Sequence, residues 1–149
     1  MWNYLTGRSI EHGILDYDVF YFDSSDLSYE AEDDAVRKAL GVIGAEANIQ
    51  ICNQARVHLW YEEHFGAACA PLLSVEAGID QFLTLSTAAS VRRRTDGRFE
   101  FCAPGGLDDI FSLTVRSNVR PGRQHLYEAK AASWLERWLE LTVVPWPST

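Results

Sequence analysis

An α/β (α+β) domain built on a mixed β-sheet with helices packed on it is the fold this sequence predicts. Three observations predict it: apolar runs of strand length separated by segments of helical period, one β-hairpin signal near residues 88–102, and a composition of 47% hydrophobic against 23% charged residues over 149 positions. That length suits one domain, residues 1–149, with a real core, and no internal repeat or low-complexity tract divides it.

The elements follow in order. Residues 2–6 read as the tail of a helix stopped by Gly7, since Gly is the usual residue after a helix C-terminus. A buried strand is expected over 15–22, where Leu15, Val19, Phe20, Tyr21 and Phe22 are aliphatic, β-branched or aromatic. DSSDLS then supplies turn chemistry, Ser28 an N-cap, and 29–42 a helix with Ala31, Ala35, Ala39 and Leu40 as its apolar stripe. Glu30, Glu32, Asp33 and Asp34 fall near the positive end of that helix's dipole. Residues 48–52 read as a second strand. The run NQARVHLWYEEHFG suits either a continued alternating strand or a helix, and Ala55, Leu59 and Glu62 tip it to a helix ending at Gly66. Ser74 opens a short helix in the manner of a capping box. Residues 88–95 and 98–102 flank Asp96-Gly97 as a hairpin. LDDIFSL makes one or two helical turns, and residues 116–123 form a polar loop carrying Pro121 and Gly122. A closing helix over 124–139 is expected to turn Leu126, Ala129, Ala132, Ser133, Leu135 and Trp138 inward.

Composition excludes several functions. A net charge of −8 argues against a broad, sequence-independent grip on nucleic acid, which needs a basic surface. The one basic cluster, Arg92, Arg93 and Arg94, reads as a solvated strand face. Cys52, Cys69 and Cys102 are odd in number and lack metal-ligand spacing, so neither a disulfide framework nor a structural zinc site is supported. No charged leader precedes an apolar run and no stretch is apolar enough to span a membrane; a cytoplasmic chain with no membrane partner is expected.

Asp16 and Asp18 carry the sharpest chemical signal. Spaced i, i+2 on an apolar strand, they project from one face, an arrangement suited to seizing a divalent metal. Isolated buried carboxylates cost several kcal/mol each, so the pair is expected at a strand end or in a cleft, bound to cations or neutralised by basic partners. The plainer alternative is a polar strand end facing water. Asn53, Gln54, Arg56 and His58 form the densest group of hydrogen-bonding side chains. Arg56 suits phosphate or base oxygens and His58 suits donation to a phosphate, yet such a cluster also serves to tie a helix terminus to a sheet.

Read together, DYDVFYFD, the acidic helix beginning SYEAE, NQARVHLWYEEHFG, GGLDDIFSLTVRSN and the closing K-x-x-x-W-x-x-R-W pattern resemble a small bacterial nucleotidyltransferase-like family, a distant branch of the DNA polymerase β-type nucleotidyltransferase superfamily. The resemblance runs from Trp2 to nearly Val144, and NQARVHLWY is its specific motif. It implies transfer of a nucleoside monophosphate from a nucleoside triphosphate to an unknown acceptor, with Asp16 and Asp18 as catalytic residues and Mg²⁺ ligands. Beside it, the residues themselves favour a nucleotide pocket lined by Asn53, Arg56, His58 and Lys130. Lys130 suits a point charge on the triphosphate, or else a stem lying along its helix toward water. Trp134 and Trp138, four apart, read as core.

Two departures qualify the resemblance. A Gly-rich phosphate-binding turn belongs upstream of Trp2, so the chain reads as N-terminally shortened, with an incomplete first helix whose uncovered apolar area a homodimer would hide. The third carboxylate of the two-metal site falls on Gln50, and a neutral amide is the weaker ligand. Both favour an alternative, a catalytically inactive binding or interaction protein whose Asp16 and Asp18 are salt-bridged to Arg8 or Arg56.

Overall fold

Strand β1, Tyr17–Tyr21, runs parallel to β2, Ile49–Asn53, in register from Tyr17↔Ile49 to Tyr21↔Asn53. A parallel pair needs a long crossover, and helix α2, Tyr29–Ile43, lies in the connection. The computed structural model describes residues 1–43, 48–66, 68–119 and 124–147. They fall into two compact units, Ile14–Gly78, and Met1–Gly13 with Ile79–Thr149.

In the unit Ile14–Gly78 the helices begin and end where the sequence places them. The Ser28 hydroxyl accepts from the Ala31 N–H at 3.2 Å and caps α2, whose Ala31, Ala35, Ala39 and Leu40 are half-buried. Arg37 pairs with Asp33 and Asp34 on the outer face, as solvated i, i+3 and i, i+4 partners. After β2 the chain makes a 3₁₀ turn over Gln54–Arg56 and continues as helix α3, Val57–Phe65, so the ambiguous NQARVHLWYEEHF run is helical. Gly66 closes α3 in the left-handed conformation, φ 68°, and its N–H donates to the Glu62 carbonyl at 2.8 Å. Helix α4, Val75–Ile79, begins after Ser74, whose hydroxyl accepts from the Ala77 N–H at 3.1 Å. Only half of the expected capping box exists, because Ala77 has no side chain that reaches back.

β1 is not the buried strand expected over 15–22. It is shorter, and Leu15, Tyr17 and Val19 are 69%, 46% and 37% exposed. Among the described residues β2 is its one strand partner, so β1 is an edge, and its first half is open to water.

The unit formed by Met1–Gly13 and Ile79–Thr149 holds the aromatic core. Helix α1, Trp2–Leu5, is followed by helix-stopping Gly7 at φ 67°. Trp2 meets both Trp134 and Trp138 edge-on, with ring centroids 5.5 Å apart in each case. Asn3 locks that corner: its carbonyl accepts from the Trp138 indole at 2.7 Å, and its amide donates to the carbonyls of Ile10 and His12. Strands β3, Ser90–Arg93, and β4, Phe99–Cys102, form the expected antiparallel hairpin. Its loop is the three residues 95–97, closed by the Arg94 N–H to Arg98 carbonyl bond of 2.8 Å, with Gly97 at φ 83°: a turn plus left-handed glycine in place of the two-residue turn that Asp-Gly most often marks.

Helix α5, Asp108–Phe111, matches the LDDIFSL reading, and the polar loop carrying Pro121 and Gly122 lies outside the described residues. Helix α6, Gln124–Leu135, ends before the expected 139, and its inward face differs from expectation. Tyr127, Ala131, Trp134 and, beyond the helix, Trp138 are buried, whereas Ala129, Ala132 and Ser133 are exposed. Burying a Tyr and two Trp side chains outweighs burying alanines, so the helix turns its aromatics inward. The Tyr127 hydroxyl bonds the carbonyls of Val115 and Val144, which ties α6 to strand β5, Thr114–Val115, and to the segment after β6, Thr142–Val143. β5 and β6 pair in parallel. The α/β (α+β) class therefore holds, with parallel and antiparallel pairing distributed over three two-stranded ladders among the described residues.

Candidate active site

Asp16 and Asp18 are both exposed at the open end of β1. Asp16 is fixed just before the strand, where the Asn48 amide donates to the Leu15 carbonyl at 2.9 Å and the Tyr17 N–H donates to the Asn48 carbonyl at 2.8 Å. Asp18 stands beside Gln50 in the strand register, and the Gln50 amide donates to the Asp16 carboxylate at 3.0 Å. Two carboxylates and an amide thus share one face of the β1–β2 ladder. The next residue on that face of β2, Cys52, is a thiol pushed up from its ordinary pKa by burial first and then by the Asp18 charge.

The NQARVH segment lies at the other end of the same ladder. Asn53 is opposite Tyr21, three rungs beyond Asp18, or about 10 Å along the strand. Its side chain is 2% exposed and bonded at both ends: the carbonyl accepts from the N–H groups of Asp23 (3.0 Å) and Ala55 (3.1 Å), and the amide donates to the Asp23 carbonyl (2.8 Å). Arg56, 9% exposed, donates from Nε to the Leu27 carbonyl at 3.0 Å, pairs with Glu32, and lies over the Tyr29 ring. Glu32 also accepts from the Asn53 N–H at 2.9 Å. Asn53, Arg56 and Glu32 together pin the 23–29 loop and the start of α2 to the end of β2. The side chains of Asn53 and Arg56, expected among the nucleotide contacts, are spent on this clamp.

Glu32 is the member that sequence reasoning missed. Its position in the first turn of α2 is explained by the helix dipole alone, and no local signal marks an Arg partner beyond the next strand. Gln54, 4% exposed, packs its amide against Gly78, where a Cβ would meet Oε1 at 2.0 Å. His58, half-buried on α3, has its Nδ1 buried without a hydrogen-bond partner among the described residues. Lys130 belongs to the other unit, exposed on α6 with Nζ 5.5 Å from the centre of the Trp134 ring.

The remaining acids of the region serve turns. Asp23 is held below the usual carboxylate range by the Ser25 hydroxyl and then its N–H, and Asp26 by the Ser28 N–H and then its hydroxyl. Among the described residues no group of three His, Cys, Asp or Glu side chains converges as a metal site. Arg8 and Arg56, the cations that the inactive alternative pairs with Asp16 and Asp18, are engaged by Glu140 and Glu32.

The chain belongs to a nucleotidyltransferase family, whose model matches residues 1–143. Among solved structures it is similar to one determined by NMR and described as revealing a CCA-adding enzyme head domain, with TM-score 0.75, 24% identity, and coverage of 97% of this chain and 75% of that one. At that identity the likeness establishes the fold. No curated protein matches in sequence. No helix among the described residues is long and apolar enough to cross a membrane.

Proposed function

We propose that this chain binds a nucleoside triphosphate as its Mg²⁺ complex at Asp16 and Asp18 and transfers the nucleoside monophosphate to an acceptor hydroxyl. The observation that carries the reading is the Asp16–Asp18–Gln50 group on one exposed strand face, in a member of a nucleotidyltransferase family. Mg²⁺ takes oxygen ligands and is commonly held by one or two carboxylates plus substrate phosphates and water, which this donor set fits. When bound, the metal supplies charge neutralisation for the triphosphate and acidifies the attacking hydroxyl.

The protein's own part is orientation. Gln50 fixes the Asp16 carboxylate, and rotating its amide half a turn presents an oxygen donor in place of the N–H. Asn53 and Arg56 act as positioning residues that hold the loop after β1, and His58 is the side chain of the same unit assigned to the nucleotide, while Lys130 belongs to the other unit and is given no part in this site. Transfer forms a bond from the acceptor oxygen to the α-phosphorus and breaks the bond to pyrophosphate, with the hydroxyl proton passing to a carboxylate or water. The cytoplasm, reducing and rich in nucleoside triphosphates, fits the three free thiols.

A second reading, a fold that binds without catalysing, is favoured by Gln50 at the third-carboxylate position. The test is thermal: a Mg²⁺-nucleotide at about a hundred times its Kd adds about 2.7 kcal/mol of stability. Asp16→Asn with Asp18→Asn is expected to remove that gain. Absence of a gain with any nucleotide counts against the proposal, and a gain without pyrophosphate release supports the second reading.

A further inference from the structure

The β3–β4 hairpin has two unlike faces. Cross-strand pairs Arg92↔Glu100 and Ser90↔Cys102 define one, where Arg92 and Arg94 reach the Glu100 carboxylate at 2.8 and 3.3 Å. Pairs Val91↔Phe101 and Arg93↔Phe99 define the other, and there Val91, Phe99 and Phe101 are 56%, 64% and 68% exposed. Phe99 and Phe101 are two residues apart on β4, about 7 Å along the strand backbone. Arg93 lies in register beside Phe99, exposed and without an ion-pair partner among the described residues. Neither ring is needed for the core, and a pair of open aromatics on a two-stranded sheet is a costly arrangement unless something covers it.

The charge around the rings narrows what that is. Residues 90–102 carry four arginines against two carboxylates, a local excess of cations on a chain whose net charge is −8. A second copy laid face to face would bring like-charged hairpins together, and a wholly apolar partner would strip water from Arg93 in the middle of the patch. A flexible polyanion with planar groups meets both demands: its bases stack on Phe99 and Phe101 and a phosphate meets Arg93, while Arg92, Arg94 and Arg98 are held by Glu100 and Asp96.

We infer that the Val91, Phe99, Phe101 and Arg93 face of the hairpin is a docking site for single-stranded nucleic acid. A patch this small makes few phosphate contacts, which is compatible with an acidic chain overall. Binding at this face is independent of the proposed metal chemistry, because stacking and phosphate contact need no divalent ion.

The experiment is fluorescence anisotropy in EDTA, with labelled RNA and DNA single strands of about twelve nucleotides and a duplex of equal length. Single strands are expected to bind with Kd of roughly 10⁻⁴–10⁻⁶ M, weakening between about 50 and 200 mM salt. Phe99→Ala with Phe101→Ala is expected to weaken binding at least tenfold with an unchanged melting temperature, since both rings are exposed. Arg93→Gln is expected to lower the slope of log Kd against log salt by about one. Absence of binding, tighter binding to duplex, or single-strand binding that ignores the Phe pair overturns the assignment. Concentration-dependent dimerisation that the double variant abolishes also overturns it, by giving the face to a second copy. The EDTA arm keeps this result separate from success or failure at Asp16 and Asp18.

Discussion

The Gln50 side chain donates its amide to the Asp16 carboxylate at 3.0 Å, on the strand neighbouring the Asp-x-Asp pair. A neutral donor thus sits where a third carboxylate would place two like charges in contact. Gln50→Glu is expected to raise affinity for Mg²⁺ or Mn²⁺, because a further anionic oxygen joins the set, and to lower the metal-free melting temperature through repulsion with Asp16. Metal titration followed by thermal denaturation, with and without EDTA, checks both signs.

Glu32 and Arg56 form a pair whose side chains are only 16% and 10% exposed. Removing one partner leaves the other charge buried, so Arg56→Ala or Glu32→Ala is expected to cost roughly 3–5 kcal/mol in urea unfolding. Arg56→Lys should recover little of it, since an ammonium cannot serve Leu27 and Glu32 with the same planar fork. Full stability in Arg56→Ala would overturn the clamp and return Arg56 to the pool of nucleotide contacts.

Asn53→Asp is a sharper probe of the same clamp. It replaces the amide that donates to the Asp23 carbonyl at 2.8 Å with an oxygen facing an oxygen. A loss of roughly 1–3 kcal/mol is expected, with circular dichroism otherwise native.

The Cys52 thiol reports on Asp18. Burial raises its pKa first and the Asp18 carboxylate raises it further, so the protonated form is favoured in the folded state. Its contribution to stability is present below the ordinary thiol pKa and is lost as pH rises through the elevated one. In a Cys69→Ser, Cys102→Ser background, Asp18→Asn is expected to speed alkylation of Cys52 by iodoacetamide at mildly alkaline pH, because thiolate forms more readily. Unchanged kinetics would separate the two groups electrostatically.

Tyr127, 1% exposed, shares its hydroxyl between the Val115 and Val144 carbonyls. Tyr127→Phe keeps the ring packed against Trp146 but leaves buried acceptors short of a donor, and a loss of about 1–3 kcal/mol is expected in denaturant unfolding.

Where a single residue type dictates a backbone state, the fold was legible in the sequence. Ser28 announces α2, Gly66 ends α3 and Asp96-Gly97 marks the hairpin, each through local chemistry. The two-residue strands β5 and β6 carry no period to read, and β1 was assigned a burial that depends on neighbours no local pattern names. On α6 and just beyond it the Trp134 and Trp138 core holds while Ala129, Ala132 and Ser133 face outward, because a periodic stripe weighs alanine and tryptophan alike, whereas burial energy does not. In the candidate site, the shared strand face of Asp16 and Asp18 is readable from period two. The role of Glu32 was not, because its partner Arg56 is fixed by tertiary contact across the loop.

The most direct test of the central claim is isothermal titration of the chain with MgATP, MgCTP, MgGTP and MgUTP, repeated in EDTA and with the Asp16→Asn, Asp18→Asn variant. Binding of at least one nucleotide that EDTA abolishes and the variant lacks is the predicted result. Binding that survives both treatments, or none to any of the four, would contradict a metal-nucleotide site at these two aspartates.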